Sequence, residues 1–195
     1  GFGGALKNLG MGCATREGKL AQHADVAPFV VKKKCIACGA CVAVCPVGAI
    51  TLEGGVAVIA GAGCIGCASC IAACSTQAIQ VDWEAGGMNI QEKMVEYALA
   101  VLKNKAGRAA FFNFCLNITQ ECDCLAKDDP RIVPDVGIAA SCDPVALDRA
   151  SLDLVVKAAG EDIFRRVHPK RDPMKQLRHA AGLGLGSLDY ELVRA

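Results

Sequence analysis

Aromatic residues and histidines are scarce in this sequence: six phenylalanines, two tyrosines, one tryptophan and three histidines in 195 residues. Few rings are left on which bases could stack. A formal net charge of +1 also leaves no cation excess to attract phosphates, so nucleic acid is not an expected partner. His23, His168 and His179 form no metal-binding motif. The start of the chain lacks the basic, apolar and cleavage regions of a secretory signal. Charge is missing altogether between Glu53 and Asp82, a stretch long enough to span a bilayer. Four cysteines, repeated glycines and the Gly54-Gly55 turn signal lie within or beside it, so no membrane insertion is expected. At 53% hydrophobic and 21% charged, the composition excludes a disordered chain.

Cysteine is present in excess. There are 13, eight of them between Cys35 and Cys74. An odd count in a long, aliphatic-rich chain does not suit a secreted disulfide scaffold. The cysteines are therefore expected to be metal ligands in a reducing compartment, most simply the cytoplasm. The chain opens at Gly1 without methionine, inside a glycine-rich segment, and further residues are expected upstream.

The sequence repeats itself. Cys35-Ile-Ala-Cys38-Gly-Ala-Cys41-Val-Ala-Val-Cys45 recurs as Cys64-Ile-Gly-Cys67-Ala-Ser-Cys70-Ile-Ala-Ala-Cys74. Each copy leads into an Ala-Ile pair and a strand-like stretch. Residues 51–59 predict a hairpin turning at Gly54-Gly55, and alternation over Ile79–Trp83 predicts a half-buried strand. The flanks read as helices and strands. A helix is expected over Asn89–Lys105, with Asn89 and Glu92 spaced as a capping box and Gly107 beyond its end. Strands follow at Ala109–Phe114 and Val136–Ala140. Asp143-Pro144 opens a helix running to Gly160, Asp172-Pro173 opens another ending near Gly182, and Tyr190–Val193 suggests a last strand. The expected fold is α/β (or α+β), with a two-repeat module over 34–83 inserted between segments 1–33 and 84–195.

Each copy has the spacing C-x₂-C-x₂-C-x₃-C, and the first continues into Pro46. In a two-cluster run of this kind the fourth cysteine ligates the other cluster. Three thiolates on one tight loop take three corners of an iron–sulfur cube, and small residues between them let backbone N–H groups approach its sulfurs. This assigns Cys35, Cys38, Cys41 and Cys74 to one [4Fe–4S] cluster and Cys64, Cys67, Cys70 and Cys45 to the other. Four-cysteine zinc sites are the alternative, but they use C-x₂-C pairs rather than triplets.

Residues 34–83 resemble the bacterial-type 2[4Fe–4S] ferredoxin domain. Ser75 stands where proline is usual in that family, and Gln77 where the first copy has Gly48. The flanks resemble the family known as domain of unknown function 362, in members that carry an inserted ferredoxin. That likeness is carried by Gly1–Cys13, Asn117–Cys124, Ile132–Ile138, Asp143–Asp148 and Asp172–Leu177. It implies an α/β fold with an iron–sulfur role and no established reaction.

Outside the repeat, Cys13, Cys122 and Cys124 are candidates for a further metal or cluster, provided that a turn brings Cys122 and Cys124 to one side. Buried, inert thiols are the alternative. Cys115 is expected in the core, and Cys142 in the core or as a spectator. The glycines around Lys7 could cradle an anion on backbone N–H groups, though they match no nucleotide motif. The expected function is single-electron transfer through two [4Fe–4S] clusters, with redox proteins as partners. Lys32-Lys33-Lys34 could dock an acidic one. The alternative is a redox enzyme whose α/β domain holds a metal or substrate site fed by the module.

Overall fold

The computed structural model describes residues 2–23, 28–81, 89–122 and 128–194. The fold is mixed α/β, with helices beside three two-stranded antiparallel sheets. Two compact units are present, one made of Gly1–Cys13 with Gln91–Ala195 and one of Ala14–Ile90.

In the first unit, helices α5 (Ile90–Leu102), α6 (Pro144–Ala159) and α8 (Met174–Gly182) bury their apolar stripes around a core of Phe2, Leu6, Val95, Ala98, Val145, Leu152, Leu177 and Ala180. The sequence specifies α6 at both ends. Asp143 accepts from the N–H of Val145 at 2.8 Å and of Ala146 at 2.9 Å, and Pro144 needs no such partner. Gly160 closes the helix at φ 74°, where a side chain would be strained. Strands β5 (Phe111–Cys115) and β6 (Gly137–Ser141) pair in the register Phe111↔Ser141 to Cys115↔Gly137. Asn113 and Cys115 point inward and are buried, whereas Phe112 and Phe114 face outward. A smaller core of Cys115, Val133, Val155 and Ile163 lies beneath, closed by α7 (Ile163–Val167).

The glycine-rich opening segment is helical. Ala5–Lys7 form a short helix, α1, continued by a π-helical turn over Asn8–Gly12. The expected strand over Tyr190–Val193 does not form. Leu192 and Val193 are exposed, no strand pairs with them, and the Tyr190 hydroxyl instead donates to Asp153 Oδ2 at 2.9 Å.

The second unit contains α2 (Arg16–His23), whose first turn is capped by the Thr15 hydroxyl accepting from Gly18 N–H at 3.1 Å. Strand β1 (Phe29–Val30), helix α3 (Ala40–Ala43), the hairpin β2 (Ile50–Glu53) and β3 (Val56–Ile59), helix α4 (Ser69–Ala73) and strand β4 (Ile79–Gln80) follow. Gly54 and Gly55 make the hairpin turn at φ 56° and 78°. β1 pairs with β4, so the unit takes in α2 and β1 upstream of residue 34. Of the strand expected over Ile79–Trp83, only Ile79 and Gln80 pair with a neighbour, and Asp82 and Trp83 lie outside the described residues. The charge-free stretch resolves into hairpin, turn and short helix. Among the described residues no helix is long and apolar enough to cross a membrane.

Candidate metal centre

The internal repeat of the sequence is a repeat of backbone conformation. Cys35 and Cys64 are 29 positions apart, and several local features recur at that offset. A 3-10 turn precedes each first cysteine, Lys32–Lys34 in one copy and Gly61–Gly63 in the other. Positive φ recurs at Ala37 (53°) and Gly66 (67°), at Gly39 (77°) and Ala68 (61°), and at Gly48 (63°) and Gln77 (52°). Three of these six residues carry side chains. Each costs about 1–2 kcal/mol in the left-handed region, and such strain gathers where a loop must wrap a ligand. The first two pairs lie between successive cysteines and hold each triplet in a tight curl.

The curl brings thiols together. Cys35, Cys38 and Cys41 of the first loop line one narrow gap with Cys74 of the second copy, beside Leu52, Ala57, Thr76 and Ile79. That gap is about 20 Å³, so the fit to an iron–sulfur cluster rests on the donor set rather than on room. The four soft sulfurs stand on an otherwise apolar wall, and backbone N–H groups are already directed at sulfur. Ala57 N–H donates to Cys35 Sγ at 3.4 Å, and Ala78 N–H to Cys74 Sγ at 3.2 Å. In the second loop Cys64 and Cys67 stand close enough to Cys70 to raise its pKa. Cys45 packs at the edge of the same core and accepts from Ala49 N–H at 3.2 Å.

Burial, chiefly, and the neighbouring Cys38 and Cys35 hold the Cys41 thiol above its ordinary value. Burial, with Cys64 and Cys67, pushes Cys70 up to about 11. Cys74 moves the other way. Burial raises it, but the Thr76 hydroxyl and the amides of Ile79, Ala78 and Thr76 together outweigh that effect. Crowded thiols in a dry site resist ionising side by side. Cationic metal would offset that cost.

The other sequence candidates lie in the first unit. Cys13 is exposed, and Cys122 is half-buried with its Sγ accepting from Lys7 Nζ at 3.0 Å. Cys124 lies outside the described residues. Among the described residues, those of the two cysteine loops included, no three Cys, His, Asp or Glu side chains are placed closely enough to hold a single ion. Cys115 is buried, and burial raises its thiol pKa. Cys142 is exposed rather than in the core.

In the segment around Lys7 the amides of Ala5 and Leu6, rather than the glycines, hold a carboxylate of the protein itself, and Lys7 turns to Cys122. Asp148, fully buried, accepts from Ala5 N–H at 2.7 Å, Leu6 N–H at 3.0 Å and Asn113 Nδ2 at 2.8 Å. Asn113 also donates to Ser151 Oγ at 3.0 Å. A Cβ on Gly4 would fall 2.5 Å from Asp148 Oδ1, so glycine is required there by proximity. Burial raises the Asp148 carboxyl despite these three donors. Sequence reading missed Asp148 because its partners are 142 and 143 positions away. Beside this network opens a cavity of about 550 Å³, lined among others by Phe2, Lys7, Phe164 and His168 with Cys122 at its rim.

A mixed α/β chain with a duplicated cysteine module is thus the class that fold and site define. The model of the family described as Domain of unknown function (DUF362) matches residues 1–153, and the chain belongs to that family. No curated protein matches the chain, and no solved structure does.

Proposed function

We propose that the Ala14–Ile90 unit is a bacterial-type ferredoxin module that holds two [4Fe–4S] clusters and passes single electrons between redox proteins. The observation that carries this reading is the approach of Cys74 to the Cys35, Cys38 and Cys41 loop across one gap. A fourth ligand crossing between copies is what the duplicated spacing requires. Cys35, Cys38, Cys41 and Cys74 would hold one cluster, and Cys64, Cys67, Cys70 and Cys45 the other.

Such clusters supply reversible one-electron storage. The chain sets the conditions for it. Amides of Ala49, Ala57 and Ala78 donate to cysteine sulfur and withdraw electron density from it. Ile50, Ala57 and Ile79 keep the inner side dry, while Cys38 stands at the surface where a partner can approach. The test is anaerobic reconstitution of the full chain, with iron, acid-labile sulfide and EPR after dithionite. About eight irons and eight sulfides per chain support the reading. Zinc in place of iron, or no reducible signal, would sink it.

A second reading is carried by the 550 Å³ cavity of the first unit, whose volume suits a small molecule. Aromatic walls, with the Lys7–Cys122 pair at one side, would then form a substrate site fed by the module. Small-molecule binding that is lost in Lys7→Met with cluster content unchanged would favour it.

A further inference from the structure

The repeated backbone carries an unequal distribution of charge. Across residues 28–81 the charged side chains are Lys32, Lys33, Lys34 and Glu53. The three lysines are exposed and form the 3-10 turn that leads into the first loop. The Cys35 N–H closes that turn on the Lys32 carbonyl at 3.1 Å, so the lysine turn leads directly into the first cysteine of this loop. The equivalent turn of the second copy has the same bond, Cys64 N–H to Gly61 carbonyl at 3.2 Å, and its residues are Gly61, Ala62 and Gly63.

At these matching places the two copies therefore differ in charge. Apolar exposure does not distinguish them, since Ile36 is 66% exposed and Ile65 62%. Charge does. The second copy also has α2 packed against α4, and α2 brings Arg16, Glu17 and Lys19, which are of mixed sign. Glu53 sits at the hairpin end, and its carboxylate accepts from the Thr51 hydroxyl at 2.8 Å. One carboxylate does not cancel three adjacent ammonium groups.

We propose that the face formed by Lys32–Lys34, Ile36 and Cys38 docks an acidic one-electron carrier protein, so that electrons pass to and from the partner through the Cys35, Cys38, Cys41 and Cys74 site. This rests on the two-cluster reading. The lysines raise the encounter rate by long-range attraction, and exposed Ile36 supplies the apolar contact at the centre. The step is the loss of one electron by the reduced site and its gain by the carrier, with no bond made or broken.

The test uses the full chain, reconstituted anaerobically, assayed for iron and sulfide, reduced with dithionite and mixed rapidly with oxidants. An acidic flavodoxin is the protein probe, and hexaamminecobalt(III) is a cationic control. Lys32→Ala, Lys33→Ala, Lys34→Ala together should slow transfer to flavodoxin about tenfold at low ionic strength and flatten its salt dependence. Transfer to the cobalt cation should be unchanged or faster. If the triple variant holds less iron, Lys32→Ala with Lys33→Ala takes its place. Equal flavodoxin rates in loaded wild type and loaded variant would overturn the docking face alone. A wild type with no reducible cluster would overturn the iron–sulfur reading, and this inference with it. Iron content measured beforehand separates the two.

Discussion

Cys45 and Cys74 occupy equivalent places in the two copies, and each Sγ accepts the N–H of the residue four positions on, Ala49 or Ala78, at the same 3.2 Å. In the two-cluster reading each is the fourth ligand of the opposite loop. Replacing both with Ala should cost both clusters, and replacing Cys74 alone should cost chiefly one. Integrated EPR and iron content decide the matter. A double variant that keeps one full cluster would refute the crossed pairing.

Gln77 adopts φ 52° where its counterpart Gly48 has φ 63°. Gln77→Gly should remove a side chain from the left-handed region and raise stability by up to about 1 kcal/mol, the relief of strain being partly offset by added chain entropy. Gly48→Ala should lower stability by about 1 kcal/mol. Denaturant midpoints of the loaded protein report both. Opposite signs are expected, and matching signs would mean that the two turns are not equivalent.

Asp148 ties α1 to the second turn of α6 through the amides of Ala5 and Leu6. Asp148→Ala leaves those amides without an acceptor and takes one of two acceptors from Asn113, which keeps Ser151 Oγ, and should cost about 3 kcal/mol. Gly4→Ala should cost about 1–2 kcal/mol by pushing α1 off the carboxylate. Chemical denaturation measures each. A loss below about 0.5 kcal/mol for Asp148→Ala, the size of an ordinary surface change, would remove its structural role.

Asp172 caps α8 through Met174 N–H at 3.0 Å and pairs with Arg178 and Arg165. Burial works to raise its carboxyl pKa, but Arg178, the Met174 amide and Arg165 outweigh it and hold the pKa below 3.8. A depressed folded value means that the stability is fully present above 3.8 and lost as pH falls through the folded value. The thermal midpoint of wild type should exceed that of Asp172→Asn by a constant margin above about pH 5, narrowing below 3.8. A margin independent of pH would show that the carboxylate charge contributes nothing.

Cys122 accepts from Lys7, and among the described residues it belongs to no group of three or more metal-ligating side chains. Cys122→Ser, with Cys124→Ser, should leave iron at the two-cluster level. Metal analysis of both proteins, prepared anaerobically, checks it. Loss of iron or zinc with both cluster signals intact would make the first unit a second metal-bearing site.

Features written in adjacent residues were legible. The Asp143-Pro144 start and Gly160 end define α6, and the cysteine spacing marks a duplicated loop. What escaped reading depends on distant partners. Nothing near Asp148 signals that it will meet residues 142 and 143 positions away. Glycines around Ala5–Lys7 argue against a helix, yet tertiary packing and the Asp148 carboxylate hold one there. Tyr190–Val193 alternates like a strand, but a strand needs a free neighbouring edge, and the Tyr190 hydroxyl is instead engaged by Asp153.

Phe29 lies opposite Gln80 in the β1–β4 pair, and facing residues in such a ladder are about 5 Å apart. The two ends of the stretch 28–81 therefore lie side by side. Close ends are the condition under which one folded piece can be spliced into another. Grafting residues 28–81 into a surface turn of an unrelated host is thus a geometrically modest operation, and it would carry both cysteine sets across intact.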